Sequence, residues 1–251
     1  MNNVMFERHG NLIETDVLVI GAGGGGMIAA LEAKKSGGSG TRVAIVDSWT
    51  VGRSGQTAFS NAWSVVVQPD QDLAAIHKEI ILGCDGIADQ QLVSNVLANS
   101  HEQIKDLDGI GLHYPRDENG RYKCRPTRGL DHAQVMCPDG GGLEFSWRLR
   151  LALEETGVMI LDRIFITGLM RGGSNGITGA VGVHSRTGEF HVISARSTVV
   201  ATNAITIRSG FVRDLTGTGT LLAYRAGASL RDAEFSYLRP TTPKFYFEGI
   251  T

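Results

Sequence analysis

A cluster of glycines between an apolar run and an alanine-rich segment limits the fold of this chain more than any other feature. Residues 16–35 read DVLVIGAGGGGMIAALEAKK. The run at 15–21 is short, apolar and β-branched, which is typical of a buried parallel strand. The following segment predicts a helix with small residues facing the sheet and an end at Gly37–Gly38. A second apolar strand at 41–48 completes a β–glycine loop–α–β unit with a right-handed crossover.

The glycine spacing in this unit indicates a nucleotide site. Gly21, Gly23 and Gly26 form a GxGxxG pattern. The first glycine permits a tight turn, the second permits close approach of a pyrophosphate, and the third brings the helix near the sheet. Asp47 ends the second strand, where an acid can accept the ribose hydroxyls of an adenosine and would repel a 2′-phosphate. The pattern therefore predicts a dinucleotide.

The chain after Asp47 favours FAD over NAD. A polar, glycine-containing loop, VGRSGQTAFSNAW at 51–63, follows the second strand in place of further regular βα units. A strand ending in VVATNA (199–204) returns much later and predicts another buried parallel strand. Such an arrangement suits a cofactor that lies extended across the sheet. An NAD-dependent dehydrogenase stays open as the alternative.

The remaining segments predict an α/β fold, a doubly wound Rossmann-like FAD-binding domain with a β-rich insertion between the second and last core strands. Residues 70–107 are mainly helical in pattern, with a one-sided stripe of Leu92, Val96 and Leu97. Residues 158–171 indicate one or two strands, and Gly188 marks a hairpin turn. The 33 glycines, about twice the usual share of roughly 7%, indicate many tight turns.

Bulk properties exclude several classes of protein. A net charge of −2 argues against nonspecific nucleic-acid binding. No apolar stretch reaches the roughly 18 residues of a membrane span, and the N-terminus lacks the pattern of a signal peptide. The three cysteines contain no CxxC pair, so we expect a reducing, cytoplasmic environment. We expect no metal site, because the spacing of His113, Cys124, His132 and Cys137 matches no zinc pattern.

Several segments together resemble the flavoprotein subunits of the fumarate reductase/succinate dehydrogenase family, which includes L-aspartate oxidase and the adenylylsulfate reductase α-subunit. The segments that carry the resemblance run in the family's order from Thr15 to about Phe235. They are the glycine unit, RSGQTAFSNAW, LEETGVMILDRIFITGLM, ITGAVGVHSRTGEFHVISARSTVVATNA and TGTGTLLAYRAGASLRDAEF.

The resemblance implies a set of FAD contacts. Pyrophosphate contacts fall on Gly21, Gly23 and Gly26, and the ribose contact falls on Asp47. The loop beside the diphosphate and flavin, the backbone contact to adenine, and the segment behind the cofactor would comprise Ser48, Arg53, Ser54, Gly55, Thr57, Ile166, Ala201 and Thr202.

Two departures from the family pattern bear on the chemistry. Gly55 and Gln56 stand where covalently flavinylated members carry a histidine, so the resemblance implies noncovalent FAD, and RSG resembles the adenylylsulfate reductase branch. Thr218 replaces the acid of the family's TGDG segment, and Asn203 replaces a glycine of its Ala-Thr-Gly segment.

The family's substrate residues have partial counterparts near the end of the sequence. Arg239 stands at the family's substrate-binding histidine, and Glu248 stands near its proton-relaying glutamate at a shorter spacing. An arginine can bind a carboxylate through two hydrogen bonds. A solvated surface arginine before a turn is the equally weighted alternative for Arg239.

These features predict an FAD-dependent oxidoreductase that exchanges hydride at flavin N5 with an unidentified small-molecule substrate, for which a carboxylate is one candidate. We expect residues 1–14 to be a leader, 15–240 to be the FAD-binding domain, and 241–251 to begin a capping or substrate domain. Because the sequence stops shortly after Glu248, the alternative is an FAD-binding half of a split flavoprotein, without turnover of its own. A partner chain would then supply the capping domain or an electron-transfer subunit.

Overall fold

The structure is a computed structural model that describes residues 11–127, 129–173, 176–203 and 216–234. Within these ranges the strands are β1 (Asn11–Ile20), β2 (Val43–Val46), β3 (Ser64–Val65), β4 (Arg125–Pro126), β5 (Gln134–Met136), β6 (Met159–Leu161), β7 (Ile164–Arg171), β8 (Ile177–His184) and β9 (Phe190–Val200). The helices are α1 (Gly24–Gly37), α2 (Gly55–Ala58), α3 (Leu73–Gly83), α4 (Gln90–Gly109), α5 (Gly141–Glu155) and α6 (Thr218–Arg225).

The described residues up to Gln56 and from Leu153 onward form the first of two compact units. Its six-stranded sheet has the order β6-β2-β1-β9-β8-β7. The strands β6, β2, β1 and β9 are parallel, while β8 and β7 are antiparallel. This mainly parallel sheet with α1 as the crossover confirms the predicted α/β fold, and β7 and β8 lie in the insertion between β2 and β9.

The sheet of the first unit is strongly curled. Its two edge strands, β6 and β7, are joined by Asp162 and Arg163 alone. A flat sheet of six strands would hold its edges about 24 Å apart, whereas the three-residue step from Leu161 to Ile164 spans at most about 11 Å. The sheet must therefore bend so that the start of β7 comes close to the end of β6. Ile164 and Ile166 of β7 accordingly lie in one buried cluster with residues of β1 and β2.

The core of the first unit explains why its central strands carry apolar residues at their buried positions, such as Leu18 to Ile20 at the end of β1. Leu18 of β1 and Ile193 of β9 lie in one buried cluster with Leu222 of α6. Val19, on the opposite face of β1, is also fully buried. Burial of both faces is characteristic of parallel strands that are covered on each side.

Helix α1 has small residues on its buried face and ends at a glycine, as predicted. Its buried residues are Gly24, Gly26, Met27 and Ala30. The helix ends at Gly38, which adopts a left-handed φ of 77°. The small residues among these, Gly24, Gly26 and Ala30, allow the helix axis to approach the sheet closely.

The second unit, residues 57–152, has its own small core. Helices α3 and α4 begin at the side-chain caps Asp72 and Asp89, as expected for acids before a helix. Ile76 and Leu97 pack there with Val67 and Ala133, and the short strands form a sheet of order β3-β5-β4. The predicted helices in this region are thus confirmed.

Three details differ from the sequence prediction. The stripe predicted on α4 is confirmed only at Leu97, which is buried together with Ser100 and Ile104. It is wrong at Leu92 and Val96, which are 61% and 58% exposed. Strand β1 begins at Asn11 rather than at Thr15, since its first residues pair with β9. The end of β9 is less buried than its composition suggests, because Val199 and Val200 are 38% and 37% exposed.

Candidate cofactor-binding site

The glycine turn after β1 is closed by contacts that admit no side chain. Gly21 has a φ of 99°, and its N–H donates to the Val46 carbonyl at 2.9 Å. A Cβ on Gly21 would lie 2.8 Å from the Ala201 carbonyl oxygen, and a Cβ on Gly26 would lie 1.9 Å from the Gly21 carbonyl oxygen. Both glycines are therefore required for the close packing of strand, turn and helix.

The start of α1 is suited to an anion. Gly23 is the N-cap residue, in extended conformation, and it offers no side chain to cap the helix. A Cβ on Gly25 would have no atom within 4 Å, so the space beside this first turn is open. Because a helix N-terminus carries orphan N–H groups and a partial positive charge, this cradle fits a pyrophosphate.

Asp47 lies at the carboxyl end of β2 and is bonded to the glycine turn. Its Oδ2 accepts a hydrogen bond from the Ala22 N–H at 2.8 Å, and its Oδ1 accepts one from the Trp49 N–H at 2.8 Å. The hydroxyl of Ser54 lies 3.5 Å from Oδ1. The carboxylate is half-buried, and it thus borders the pyrophosphate cradle, where an acid is expected for a ribose.

The loop after Asp47 contains most of the other predicted contacts. Ser48 is half-buried and Arg53 is exposed. The Ser54 hydroxyl donates to the Thr50 carbonyl at 2.8 Å, and Gly55 has a φ of 77° with open space beside it. The structure therefore brings Ser54 to Asp47 and places Gly55 in a conformation that favours glycine.

Thr57 belongs to the second unit and is described with that unit. Its carbonyl accepts hydrogen bonds from the Ser60 N–H at 3.2 Å and from the Ser60 hydroxyl at 2.9 Å. The N–H of Gly142, in α5, donates to the Ser60 carbonyl at 2.9 Å. The segment after Thr57 is thus held by the start of α5, a contact that no local sequence pattern predicts.

Ala201 and Thr202 form one wall of the glycine turn. The Ala201 N–H donates to the Ile20 carbonyl at 2.8 Å, and its Cβ would lie 3.3 Å from a Cβ on Gly26. Sequence reasoning missed the role of Gly219, where a Cβ would lie 1.8 Å from the Thr202 hydroxyl oxygen. The glycine spacing of TGTG at the start of α6 was the available signal.

Ile166 lies on β7, two residues after Ile164, which is bonded to Asp47. Its side chain is 6% exposed and belongs to the core cluster of the first unit. The N–H of Ile164, two residues earlier, donates to the Asp47 carbonyl at 2.9 Å. The pairing of β7 with β8 shifts register between Ile166 and Gly168, and this bulge interrupts the regular backbone pairing.

The structure does not test the remaining predicted site residues. Arg239 and Glu248 lie outside the described residues. Within the described ranges, no group of three or more His, Cys, Asp or Glu side chains is arranged to hold a metal ion. The same ranges contain no helix that combines the length and the apolar character needed to cross a bilayer.

Comparison with known proteins places these features in a family. The model of the FAD binding domain family matches residues 16–243. The fumarate reductase flavoprotein subunit of Mycobacterium tuberculosis (strain ATCC 25618 / H37Rv) is 28% identical over 231 residues, covering 90% of this chain and 39% of the relative. The 8-methylmenaquinol:fumarate reductase flavoprotein subunit of Wolinella succinogenes is 29% identical over 237 residues, covering 90% of this chain and 38% of the relative.

Solved structures agree with the fold. FrdA of E. coli quinol fumarate reductase, in a mutant form, superposes with a TM-score of 0.79 at 21% identity, covering 90% of this chain and 39% of that one. An adenosine-5-phosphosulfate reductase in complex with sulfite superposes with a TM-score of 0.74 at 26% identity, covering 87% and 36%. The chain thus spans about two fifths of the length of these proteins.

The family match covers both the glycine unit and the strand that closes it. It confirms FAD as the cofactor and removes support from the NAD alternative. The relatives, which include a succinate dehydrogenase flavoprotein subunit of Coxiella burnetii, confirm the resemblance seen in the sequence. The chain belongs to the FAD binding domain family, and its relatives include the flavoprotein subunits of fumarate reductases and succinate dehydrogenases.

Proposed function

We propose that this chain binds FAD noncovalently and forms the cofactor-holding part of an FAD-dependent oxidoreductase. The observation that carries the proposal is the glycine turn, closed on one side by Ala201 and Thr202 and bordered by the carboxylate of Asp47. Bound FAD supplies hydride exchange at its N5 atom. The protein's own part is to bind, orient and shield the cofactor.

Each element of the site has a distinct proposed role. The N-terminus of α1 binds the pyrophosphate through its N–H groups and its positive end. Asp47 accepts ribose hydroxyls, since its half-buried carboxylate lies at the end of β2 and is bonded to the glycine turn through the Ala22 N–H. Arg53, exposed on the loop after Asp47, adds positive charge for the diphosphate.

The attachment, substrate and partners are proposed on chemical grounds. Gln56 has no nucleophilic group for a covalent flavin bond, so the cofactor is held by contacts alone. The relatives' names give fumarate and succinate, which are dicarboxylates, so we propose a carboxylate substrate with Arg239 and Glu248 as its binding and proton-relay residues. A partner chain and a cytoplasmic location belong to the same proposal, together with a boundary at 240/241 between the FAD-binding domain and the start of a capping domain.

An absorption spectrum of the purified chain tests the cofactor. We expect the two visible bands of a flavin, and we expect the colour to move to the supernatant after acid precipitation because the cofactor is not covalently attached. Colour that stays in the precipitate would contradict noncovalent binding. A colourless protein that added FAD does not reconstitute would refute the proposal as a whole.

The matched variants Asp47→Asn and Asp16→Asn test the ribose contact. Each carboxylate accepts a main-chain N–H, from Ala22 at 2.8 Å and from Arg42 at 2.9 Å. Asp16 lies midway along β1, beside the start of β2, whereas Asp47 follows the end of β2. We expect Asp47→Asn to weaken FAD binding by about 1–3 kcal/mol, as for loss of a charged hydrogen bond, whereas Asp16→Asn leaves affinity unchanged in a fluorescence titration. Equal effects of the two would argue against a contact at Asp47.

A second candidate function is a cofactor-binding half without turnover. The observation that favours it is that the chain spans 39% of its relative in length. Fumarate reduction with a reduced dye as electron donor separates the two functions. Turnover by the FAD-loaded chain alone would refute the second candidate, and cofactor binding without turnover would support it.

A further inference from the structure

The two residues that join β6 to β7 lie against the loop that follows Asp47. Asp162 Oδ1 accepts a hydrogen bond from the Val51 N–H at 2.8 Å. The Arg163 N–H donates to the Trp49 carbonyl at 2.9 Å, and its guanidinium lies 3.4 Å from the Thr50 hydroxyl oxygen. Each of the three residues 49–51 is therefore bound by this short connection.

The strands on either side of the connection extend the same contact to Asp47. The Asp47 N–H donates to the Leu161 carbonyl at 3.1 Å, and the Ile164 N–H donates to the Asp47 carbonyl at 2.9 Å. Four consecutive residues, 161–164, thus bind the segment 47–51 from its first residue to its last. The segment takes its shape from a part of the chain more than a hundred residues further on.

The Asp162 side chain holds the member of this segment with the least access to water. Val51 is 0% exposed. A main-chain N–H at such a residue needs a partner within the protein, because a buried donor left unsatisfied is strongly unfavourable. The Asp162 carboxylate supplies that partner, so the local path of the loop depends on it.

Arg163 shows that the connection itself is constrained. It has a φ of 64°, which is uncommon for a residue with a side chain. Its carbonyl accepts the Ser185 N–H at 2.8 Å while its own N–H is bonded to Trp49. Backbone strain of this kind persists only where the surroundings fix the conformation on both sides.

We infer that Asp162 is a positioning residue of the FAD site, which acts through Val51 to order the loop carrying Ser48, Arg53 and Ser54. The inference rests on the proposed binding of FAD. Asp162 needs no contact with the cofactor for this role. Its effect is preorganisation: a loop that is already ordered loses less conformational freedom when the cofactor binds.

The test compares Asp162→Ala with Asp162→Asn in the 251-residue chain. Asparagine keeps an oxygen that accepts the Val51 N–H, whereas alanine removes it. We expect the Kd for FAD to rise about fivefold to tenfold in Asp162→Ala and to stay within about twofold of wild type in Asp162→Asn. Asp16→Ala, which also removes an acceptor of one main-chain N–H in the same unit, serves as the control and leaves the Kd unchanged.

Hydrogen exchange of the cofactor-free chain provides a second readout that does not depend on FAD. We expect amides 49–55 to exchange faster in Asp162→Ala and at the wild-type rate in Asp162→Asn. An unchanged Kd in Asp162→Ala would overturn the inference, as would a lowered melting temperature with unchanged exchange in the loop. If wild type itself binds no FAD, the proposed function fails, and the exchange result still decides whether Asp162 orders the loop.

Discussion

Gly26 offers a sharp test of how closely α1 lies on the sheet. A Cβ at this position would lie 1.9 Å from the Gly21 carbonyl oxygen and 3.3 Å from the Ala201 Cβ. Since carbon and carbonyl oxygen normally approach no closer than about 3.3 Å, the variant Gly26→Ala must move the helix start by about 1.4 Å or distort the turn.

The expected size of the effect combines two opposing contributions. Overpacking of a well-filled site lowers the free energy of unfolding by about 1–3 kcal/mol. Replacing glycine by alanine within a helix returns about 0.5–1 kcal/mol. Because the clash at Gly26 is with main-chain atoms that cannot rotate away, we expect a net loss of about 2 kcal/mol, or roughly 4–8 °C in melting temperature for a chain of this size.

Gly25→Ala is the matched control, because it adds the same methyl group one residue earlier. A Cβ on Gly25 has no atom within 4 Å, so we expect only the gain of about 0.5–1 kcal/mol from the helix. Urea unfolding of the cofactor-free chain, followed by circular dichroism, measures both variants. A Gly26→Ala protein as stable as Gly25→Ala would refute the close packing of α1 on the glycine turn.

Two further predictions concern single side chains. Burial lowers the pKa of His191, although Glu189 opposes the shift and His184 adds to it. The free energy of unfolding should therefore fall as the pH drops below about 6.5, the pKa of histidine in the unfolded chain. Urea midpoints at several pH values should show less of this fall in His191→Phe, and an equal pH dependence of the two proteins would count against the interpretation. The Glu79 carboxylate accepts hydrogen bonds from three main-chain N–H groups, those of residues 131–133. Glu79→Gln keeps only one side-chain oxygen, so the amides of residues 131–133 should exchange faster in this variant. Unchanged exchange would show that the carboxylate does not hold this loop.

The sequence was most informative where neighbouring residues determine the structure. The turn at Gly21 and the packing of Ala30 follow from the order strand, glycines, helix, and the structure has both. The acid caps of α3 and α4 are similarly local signals. For α4 the apolar pattern misled, because Leu92 and Val96 are exposed although their spacing suits a buried stripe. The spacing of apolar residues identifies a helix but does not determine which of its faces is buried.

Contacts between distant segments could not be predicted in the same way. The bond from Ala22 to Asp47 depends on how the glycine turn meets the end of β2. The hydrogen bond from Val51 to Asp162 joins residues that are 111 positions apart, and no sequence pattern near either residue predicts it. The glycine pattern located the site. The two carboxylate contacts could not be predicted, because they depend on how distant segments meet in the folded sheet.

The pairing of β1 with β9 has a consequence for how the protein is made. Asn11 pairs with His191 and Ile20 with Val200, so the central strand lacks one neighbour until β9 has left the ribosome. Pairings of such high contact order form slowly and leave strand edges open to aggregation. The glycines of the cofactor site are synthesised early, yet their wall, Ala201 and Thr202, follows the last strand of the described sheet. Until then, a nascent chain exposes the β1 edge, and FAD can assist folding only after this wall has been made.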